Sequence, residues 1–275
     1  MRNGVFNIEI IGTERPAVRP KVAMVDLDGT VSTVRGGWQH ILMKLEWDVL
    51  IETPQGKTMP QAELTALMKR AIEVQIGKQT IYQALALVEL VKQLGGTPPD
   101  ADEFHRQYID ELGKMVAPRW KLLENGGNPE ELTVKGTHKF LAMLRKQGLT
   151  LYLVSGTEDE IVKRDAELLR VKEFFNGGIF GGLPQPGAFS KEKMTQQILA
   201  EQHIAGEELL GVGDGHTETQ CIKNAGGFAV GVASDEVNPC GNLDEWKREQ
   251  LIRAGADWLI PDYSDTGKLE SALFF

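Results

Sequence analysis

The sequence predicts an α/β protein: a parallel β-sheet with helices on both faces, and a small all-helical domain inserted into it. Short apolar runs bounded by turn residues recur along the second half of the chain, with helical periodicity between them. This alternation is typical of a parallel sheet whose strands are buried on both faces. Residues 34–132 show helical periodicity alone, which predicts a separate helical domain.

The domain boundaries follow from where these patterns change. Residues 1–33 and 133–275 are predicted to form one discontinuous sheet domain, and residues 34–132 the helical domain. Within the helical domain, apolar positions at helical spacing are interrupted near Gly77, and Asp100 after a Gly/Pro turn is a predicted N-cap. These features indicate a bundle of about four helices.

The elements of the sheet domain can be assigned in chain order. Residues 4 to 12 alternate apolar and polar and predict an added edge strand, and the apolar run before Asp26 predicts the central strand. A helix is predicted through Phe140 and Leu144. The later strands are predicted at residues 148–155, 179–180, 209–212, 228–232 and 258–260, and the helices between them around residues 158–170, 191–203 and 217–225.

Composition narrows the function classes. The net charge of -9 argues against a broad surface for nucleic acid or an anionic membrane. No run approaches the ~18 apolar residues of a membrane span, and two cysteines far apart fit a reducing compartment. The sequence therefore predicts a cytoplasmic protein with no nucleic-acid or membrane partner, and it leaves the oligomeric state open.

Two carboxylates end the predicted central strand. Asp26 and Asp28 leave it on the same side, with Leu27 between them. Gly29 allows a sharp turn, and Thr30 offers a hydroxyl and an N–H group to an anion. Such close like charges need a metal ion or a bound proton, and both arrangements suit phosphoryl transfer. The alternative is a strand end with two solvated aspartates.

Small polar residues follow the next predicted strand. Ser155 and Gly156 offer a hydroxyl and backbone N–H groups to an anion at a helix N-terminus. Equally, Ser155 or Thr157 simply caps the following helix.

A lysine begins the helix predicted over residues 191–203. Lys191 in a first turn is slightly unfavourable for the helix dipole, which indicates an acidic or anionic partner. Lys193 competes for this role, and a solvated surface lysine is the alternative for either residue.

A third strand end carries another acid. Asp214 lies between glycines, and Glu218 follows one helical turn later on the same face. Carboxylate oxygens of this kind suit Mg²⁺. The alternative is that Asp214 is the N-cap of the next helix and Glu218 lies in its first turn.

Taken in this order, the motifs resemble the haloacid dehalogenase superfamily. The resemblance covers a Rossmann-like core at roughly residues 20–33 and 133–262. The helical insertion is similar to the α-helical cap of phosphoglycolate phosphatase and β-phosphoglucomutase. The resemblance implies that Asp26 is the nucleophile that accepts the phosphoryl group, and that Asp28 is the general acid and base.

The resemblance also implies a metal site and a phosphoryl site. The residues implied to bind the phosphoryl group are Leu27, Gly29, Thr30, Ser155, Gly156 and Lys191, and those implied to hold Mg²⁺ are Asp26, Asp28, Asp214 and Glu218. Asp28 would offer the metal its backbone carbonyl. Glu218 stands where Asp is commoner, so it would reach the metal directly or through water.

The acid at position 28 separates branches of the superfamily. Its dehalogenases lack an acid there, its phosphonatases tend to carry Ala and its ion-pumping ATPases carry Thr. Asp28 therefore implies transfer from a phosphate ester, in which an alkoxide leaving group needs a proton. The resemblance implies a Mg²⁺-dependent phosphatase that acts through an aspartyl-phosphate on a small phosphorylated metabolite, such as a sugar phosphate.

Two other functions remain open at this stage. One is a phosphomutase of the β-phosphoglucomutase type, and the other is a catalytically silent protein that binds a phosphorylated ligand. Arg35, Trp38 and His40 are candidates for substrate contact or for a hinge, or else ordinary residues of the first inserted helix.

Overall fold

The structure, a computed structural model, describes residues 7–183 and 188–275, and this part of the chain contains one seven-stranded sheet. The strands are β1 (Glu9–Ile10), β2 (Val22–Val25), β3 (Thr150–Glu158), β4 (Gly178–Gly182), β5 (Leu209–Gly213), β6 (Phe228–Val232) and β7 (Trp258–Ile260). Their order is β1-β7-β6-β5-β2-β3-β4. All neighbours are parallel except β1, which pairs antiparallel with β7. The predicted parallel α/β sheet is confirmed.

Both faces of this sheet are buried. In β2, Ala23 and Val25 point into one apolar cluster, whereas Val22 and Met24 point into another on the opposite face. This explains why the strand is apolar at every position instead of alternating with polar residues.

Ten α-helices lie in the described residues. They are α1 (Trp38–Leu50), α2 (Gln61–Glu73), α3 (Ile81–Gln93), α4 (Ala101–Glu124), α5 (Thr137–Lys146), α6 (Asp159–Leu168), α7 (Lys191–Gln202), α8 (His216–Asn224), α9 (Glu245–Ala254) and α10 (Thr266–Phe274). Helices α1 to α4 lie between β2 and β3, as the periodicity predicts, and the Asp100 side chain accepts a hydrogen bond from the Glu103 N–H as a true N-cap. A domain boundary at residues 34 and 132 remains a prediction. No helix in residues 7–183 or 188–275 combines the length and apolarity of a membrane span.

The structure differs from the sequence predictions in a few elements. The expected edge strand over residues 4 to 12 is found at Glu9–Ile10, and residues 4 to 6 lie outside the described residues. Helices α9 and α10 were not predicted, because their mixed charged faces obscure the apolar spacing. Strand β3 continues to Glu158, so Ser155 and Gly156 lie within the strand and not after it.

One buried acid in the helical region leads to a stability prediction. Glu46 of α1 is 1% exposed, its Oε2 atom has no hydrogen-bond partner in the described residues, and burial raises its pKa to about 8. In the unfolded chain its pKa returns to about 4.3. The ionised carboxylate therefore destabilises the fold increasingly as pH rises from about 4.3 to 8. Each pH unit in this range lowers the free energy of unfolding by about 1.4 kcal/mol, so the loss of stability at pH 8 is several kcal/mol.

We therefore expect Glu46→Gln to raise the free energy of unfolding at pH 8 by about 2 kcal/mol or more and to change it little at pH 4.5. Denaturant unfolding at both pH values measures this difference. Glu63→Gln on the exposed face of α2 is the control and should have no such effect. An equal effect of Glu46→Gln at both pH values would contradict the expectation.

Candidate active site

The strand order brings three of the motifs to one edge of the sheet. Strand β2 lies between β3 and β5, and all three are parallel, so their carboxyl ends open on the same side. Asp26 follows β2, Asp214 follows β5, and Ser155 lies in the last part of β3. Residues separated by almost 200 positions thus meet because their strands are neighbours.

A buried acid cluster occupies this edge. Asp26, Asp214 and Glu218 each place a carboxylate oxygen within 4.8 Å of the others. Lys191, the first residue of α7, extends its ammonium group to 2.7 Å from Asp26 Oδ1 and 3.0 Å from Glu218 Oε2. Lys193 is exposed, and its N–H is bonded to the N-cap Ser190. Of the two candidate lysines, Lys191 is therefore the one that reaches Asp26.

A second lysine, not singled out from the sequence, reaches the cluster from the other side. Lys247 of α9 places its Nζ atom 2.8 Å from Asp214 Oδ2 and 2.6 Å from Glu236 Oε1, and it also donates to Ser234. Asp244 caps α9 by accepting from the Lys247 N–H, and so fixes where this helix begins. The sequence carried no strong signal for Lys247, since α9 itself was not predicted.

The electrostatics of the cluster suit a divalent cation. Four carboxylates, counting Glu236, face the two lysines, which leaves a formal charge of −2 when all are ionised. Burial raises the pKa of Asp26 well above its usual range, despite Lys191, and raises that of Asp214 to about 7, despite Lys247. Burial alone would lower the pKa of Lys191, but Asp26 and Glu218 raise it above its ordinary value. Hard oxygen ligands with excess negative charge are what Mg²⁺ binds in proteins.

Glu218 is less available to a cation than the two aspartates. Its Oε1 atom accepts a hydrogen bond from the Gly215 N–H, and its Oε2 atom accepts from Lys191. Both oxygens therefore already have donors. The sequence alternative that Asp214 caps α8 is wrong, because α8 begins at His216 with Gly215 as its N-cap.

Asp28 lies beside the cluster, and both of its oxygens are bound. Oδ1 accepts from Arg35 Nη1 at 2.8 Å, and Oδ2 accepts from the Thr157 hydroxyl at 2.8 Å. Arg35 also donates to Asp165 Oδ2 at 2.6 Å, and the indole of Trp120 donates to Asp165 Oδ1 at 2.6 Å. The candidate Arg35 thus touches the predicted acid and base directly, whereas Asp165 and Trp120 were not foreseen.

The predicted phosphoryl-binding residues fall into two groups. Ser155 and Gly156 line a cavity that Asp26, Asp28 and Asp214 also line. Leu27, Gly29, Thr30 and Lys191 do not line it among the described residues. The Leu27 side chain is fully buried, so only its backbone can serve an anion, and the Thr30 hydroxyl is buried with no hydrogen-bond partner in the described part of the chain.

Two glycines make the close packing of this edge possible. Gly29 has φ of +73°, and a Cβ there would lie 2.0 Å from Asp214 Oδ2. A Cβ at Gly156 would lie 2.5 Å from the Lys78 carbonyl oxygen, so this glycine lets the loop between α2 and α3 approach the sheet. The expectation that Ser155 or Thr157 caps α6 is wrong, since Glu158 occupies the N-cap position without a side-chain cap.

The loop between α2 and α3 covers the acid cluster. The Thr217 hydroxyl donates to the Ile76 carbonyl at 2.6 Å, and a Cβ at Gly77 would meet Glu218 Oε2 at 2.3 Å. Trp38 lines the neighbouring cavity, whereas His40 is exposed and is not among its described lining residues. The helical region thus covers part of the site and leaves a partly open cavity next to Asp26 and Asp28.

Comparison with known proteins agrees with this geometry. A family model described as "haloacid dehalogenase-like hydrolase" matches residues 20–226. A predicted phosphoglycolate phosphatase from Haemophilus somnus superposes with a TM-score of 0.57 at 17% identity, over 92% of this chain and 99% of that one. A β-phosphoglucomutase from Clostridium difficile gives 0.57 at 13% identity, over 92% and 96%.

A HAD family hydrolase from Deinococcus radiodurans, crystallised with bound phosphate and sodium, gives a TM-score of 0.52 at 16% identity over 93% of this chain and 98% of that one. Among curated proteins, no match was found. At these identities the structural likeness establishes the fold, and the family model establishes the family.

Proposed function

Because this chain belongs to the haloacid dehalogenase-like hydrolases, we propose that it is a Mg²⁺-dependent phosphatase of small organic phosphomonoesters. The observation that carries the proposal is the meeting of Asp26, Lys191 and Asp214 in one buried cluster, with Asp28 beside it on a partly open cavity. An acidic pair without these partners would be compatible with a solvated turn. A nucleophile and a proton carrier on one cavity, with a lysine ammonium hydrogen-bonded to the nucleophile from behind the cavity lining, support phosphoryl transfer.

In the first step, an oxygen of the Asp26 carboxylate attacks phosphorus and the ester P–O bond breaks. The proton of Asp28 passes to the departing oxygen, so that the alcohol leaves neutral and an aspartyl-phosphate remains. Lys191, at 2.7 Å from Asp26, offsets the charge on the nucleophile and on the phosphoryl oxygens. The Ser155 hydroxyl and nearby backbone N–H groups complete the phosphoryl site.

In the second step, water attacks the phosphorus of the aspartyl-phosphate and gives its proton to Asp28. The bond between phosphorus and Asp26 breaks, inorganic phosphate leaves, and Asp26 and Asp28 return to their starting states. Arg35 and Thr157 hold the Asp28 carboxylate in place for both transfers, because each binds one of its oxygens.

The acid cluster fits Mg²⁺. Asp26 and Asp214 would hold it through carboxylate oxygens and Asp28 through its backbone carbonyl, whereas Glu218 would act through water because both its oxygens are engaged. When bound, the ion would supply positive charge next to the phosphoryl oxygens.

Release of inorganic phosphate from a panel of phosphomonoesters, with Mg²⁺ or with EDTA, tests the function. We expect phosphate release with Mg²⁺ and a loss of at least about 100-fold in EDTA that Mg²⁺ restores. Mg²⁺ should also raise the melting temperature through binding, and Asp214→Asn should reduce this shift. Formation of an isomerised sugar phosphate without free phosphate would instead identify a phosphomutase, and phosphate release unaffected by EDTA would contradict the metal site.

A further inference from the structure

The cavity next to Asp26 and Asp28 is walled on one side by a single face of α4. Its described lining includes Ile109, Leu112, Gly113, Val116 and Trp120, which recur at the spacing of one helical face. Ile109 is 37% exposed, whereas Leu112 and Val116 on the same face are buried. This face points at the two acids and not into the core alone, so it is placed to contact the part of a substrate that leaves with the ester oxygen.

Other apolar side chains extend the same wall. Trp38, Ile76, Tyr108 and Ile161 line the cavity from α1, from the loop after α2, from α4 and from α6. The cavity has a volume of about 190 Å³, and the space is bounded mainly by carbon atoms. Burial of apolar surface against such a wall is favourable by roughly 25 cal/mol per Å².

Several polar groups around the cavity already have hydrogen-bond partners. Arg35 is bound by Asp28 and Asp165, and the Lys78 ammonium donates to the Gln75 side chain. The Thr80 hydroxyl is hydrogen-bonded to His105. A leaving group with many hydroxyls would therefore lose hydrogen bonds to water without gaining equivalent partners, and each unpaired group carries a cost.

One acceptor is unpaired. Gln83 is 6% exposed, its Nε2 donates to the Ile72 carbonyl, and its Oε1 atom has no partner in the described residues although the side chain lines the cavity. The wall thus offers a large apolar surface, and Gln83 Oε1 is the one buried acceptor without a partner among its described residues.

A glycine in the middle of the α4 face leaves the cavity open. A Cβ built at Gly113 meets no atom within 4 Å, and its φ is not in the left-handed region. Glycine inside a helix is less stable than alanine, and no close backbone contact at Gly113 explains its presence there. The missing side chain instead adds room between Leu112 and Val116, at the wall of the cavity.

We propose that the substrate is the phosphate monoester of an apolar alcohol, whose carbon skeleton lies against the α4 face, and that Gly113 sets the size of the apolar group admitted. The proposal rests on the phosphatase function above and names its substrate class. It departs from the sugar phosphates that the sequence analysis favours, because the wall offers few partners for their hydroxyls.

A matched pair of substrates tests the proposal. Benzyl phosphate and glucose 6-phosphate are both esters of a primary alcohol that carries a six-membered ring, but only the sugar carries ring hydroxyls. Acetyl phosphate, which has no ring, reports phosphoryl transfer alone. We expect kcat/KM for benzyl phosphate to exceed that for glucose 6-phosphate by about 100-fold or more, since the difference lies in the burial of apolar against polar surface.

Two variants with the same new side chain locate the effect. Gly113→Leu should lower kcat/KM for benzyl phosphate at least 10-fold more than for acetyl phosphate, because the leucine occupies the space of the ring. Gln107→Leu, on the exposed face of the same helix, should leave both values unchanged. Thermal melts of both variants check that each is folded.

The outcomes separate this inference from the function on which it rests. If acetyl phosphate is hydrolysed but kcat/KM for glucose 6-phosphate equals or exceeds that for benzyl phosphate, the proposed substrate class is wrong and the phosphatase function stands. An unchanged preference in Gly113→Leu would overturn the assignment of the α4 face. No phosphate release from any of the three compounds would overturn the phosphatase function and the inference together.

Discussion

Asp26→Asn should abolish phosphate release, with a fall in kcat of at least about 10⁴-fold. The amide keeps the size of the side chain but is a very poor nucleophile toward phosphorus, so no aspartyl-phosphate can form. The change also removes the carboxylate nearest Lys191, whose remaining carboxylate partner among the described residues is Glu218. Phosphate release and acid-quenched trapping of ³²P-labelled protein measure the two consequences.

The control for Asp26→Asn is Asp48→Asn on the exposed face of α1, which removes a carboxylate far from the cluster. It should retain wild-type activity and labelling. A thermal melt confirms that Asp26→Asn is folded, which is expected because the substitution is isosteric. Labelled phosphoprotein in the folded Asp26→Asn variant would contradict the assignment of the nucleophile.

Asp28→Asn should separate the two halves of the reaction. An alkyl ester such as benzyl phosphate needs a proton on its leaving oxygen, so its kcat should fall by about 10² to 10⁴-fold. Acetyl phosphate releases acetate, which needs no proton, so its first step should persist. Because hydrolysis of the aspartyl-phosphate still needs a base, labelled phosphoprotein should accumulate with acetyl phosphate.

The asparagine at position 28 keeps one oxygen to accept from Arg35, and its amide NH2 group can donate to the Thr157 hydroxyl oxygen, so both contacts can persist while the transferable proton is lost. Labelling from acetyl phosphate is measured by rapid quench in wild type, Asp28→Asn and Asp26→Asn, the last of which should give none. Equal losses for benzyl phosphate and acetyl phosphate in the first step would argue against a general acid at this position.

The parts of the fold that sequence could predict are those fixed by local pattern. The uninterrupted apolar run of β2 predicts a strand buried on both faces, and β2 is an interior strand between β5 and β3, although the middle strand of the seven is β5. The spacing between Thr58 and Leu94 predicts helices broken near Gly77, and α2 and α3 flank that glycine. Both signals are strong because burial dictates residue type at every position of a strand buried on both faces, and at every third to fourth position of a helix with one buried face.

The parts of the site that sequence could not predict depend on contacts between distant elements. Lys247 reaches Asp214 only because β6 and α9 bring it under the sheet edge, and a lysine in a charged helix carries no local sign of burial. Asp165 looks like an ordinary acid of an amphipathic helix, yet it is fully buried. The apolar cavity wall also escaped prediction, since core-facing and cavity-facing residues of α4 share one periodicity.

The position of Asp165 links helix α4 to the carboxylate of Asp28. The Asp165 carboxylate on α6 accepts hydrogen bonds from Trp120 of α4 and from Arg35. Arg35 also donates a hydrogen bond to Asp28. If α4 moved away, the buried Asp165 carboxylate would lose the hydrogen bond from Trp120, at a cost of about 1–3 kcal/mol. Arg35 would then be drawn more strongly to Asp165 and less to Asp28. The hydrogen bonds of Asp165 thus couple the position of α4, which forms one wall of the cavity, to the hold that Arg35 has on the Asp28 carboxylate.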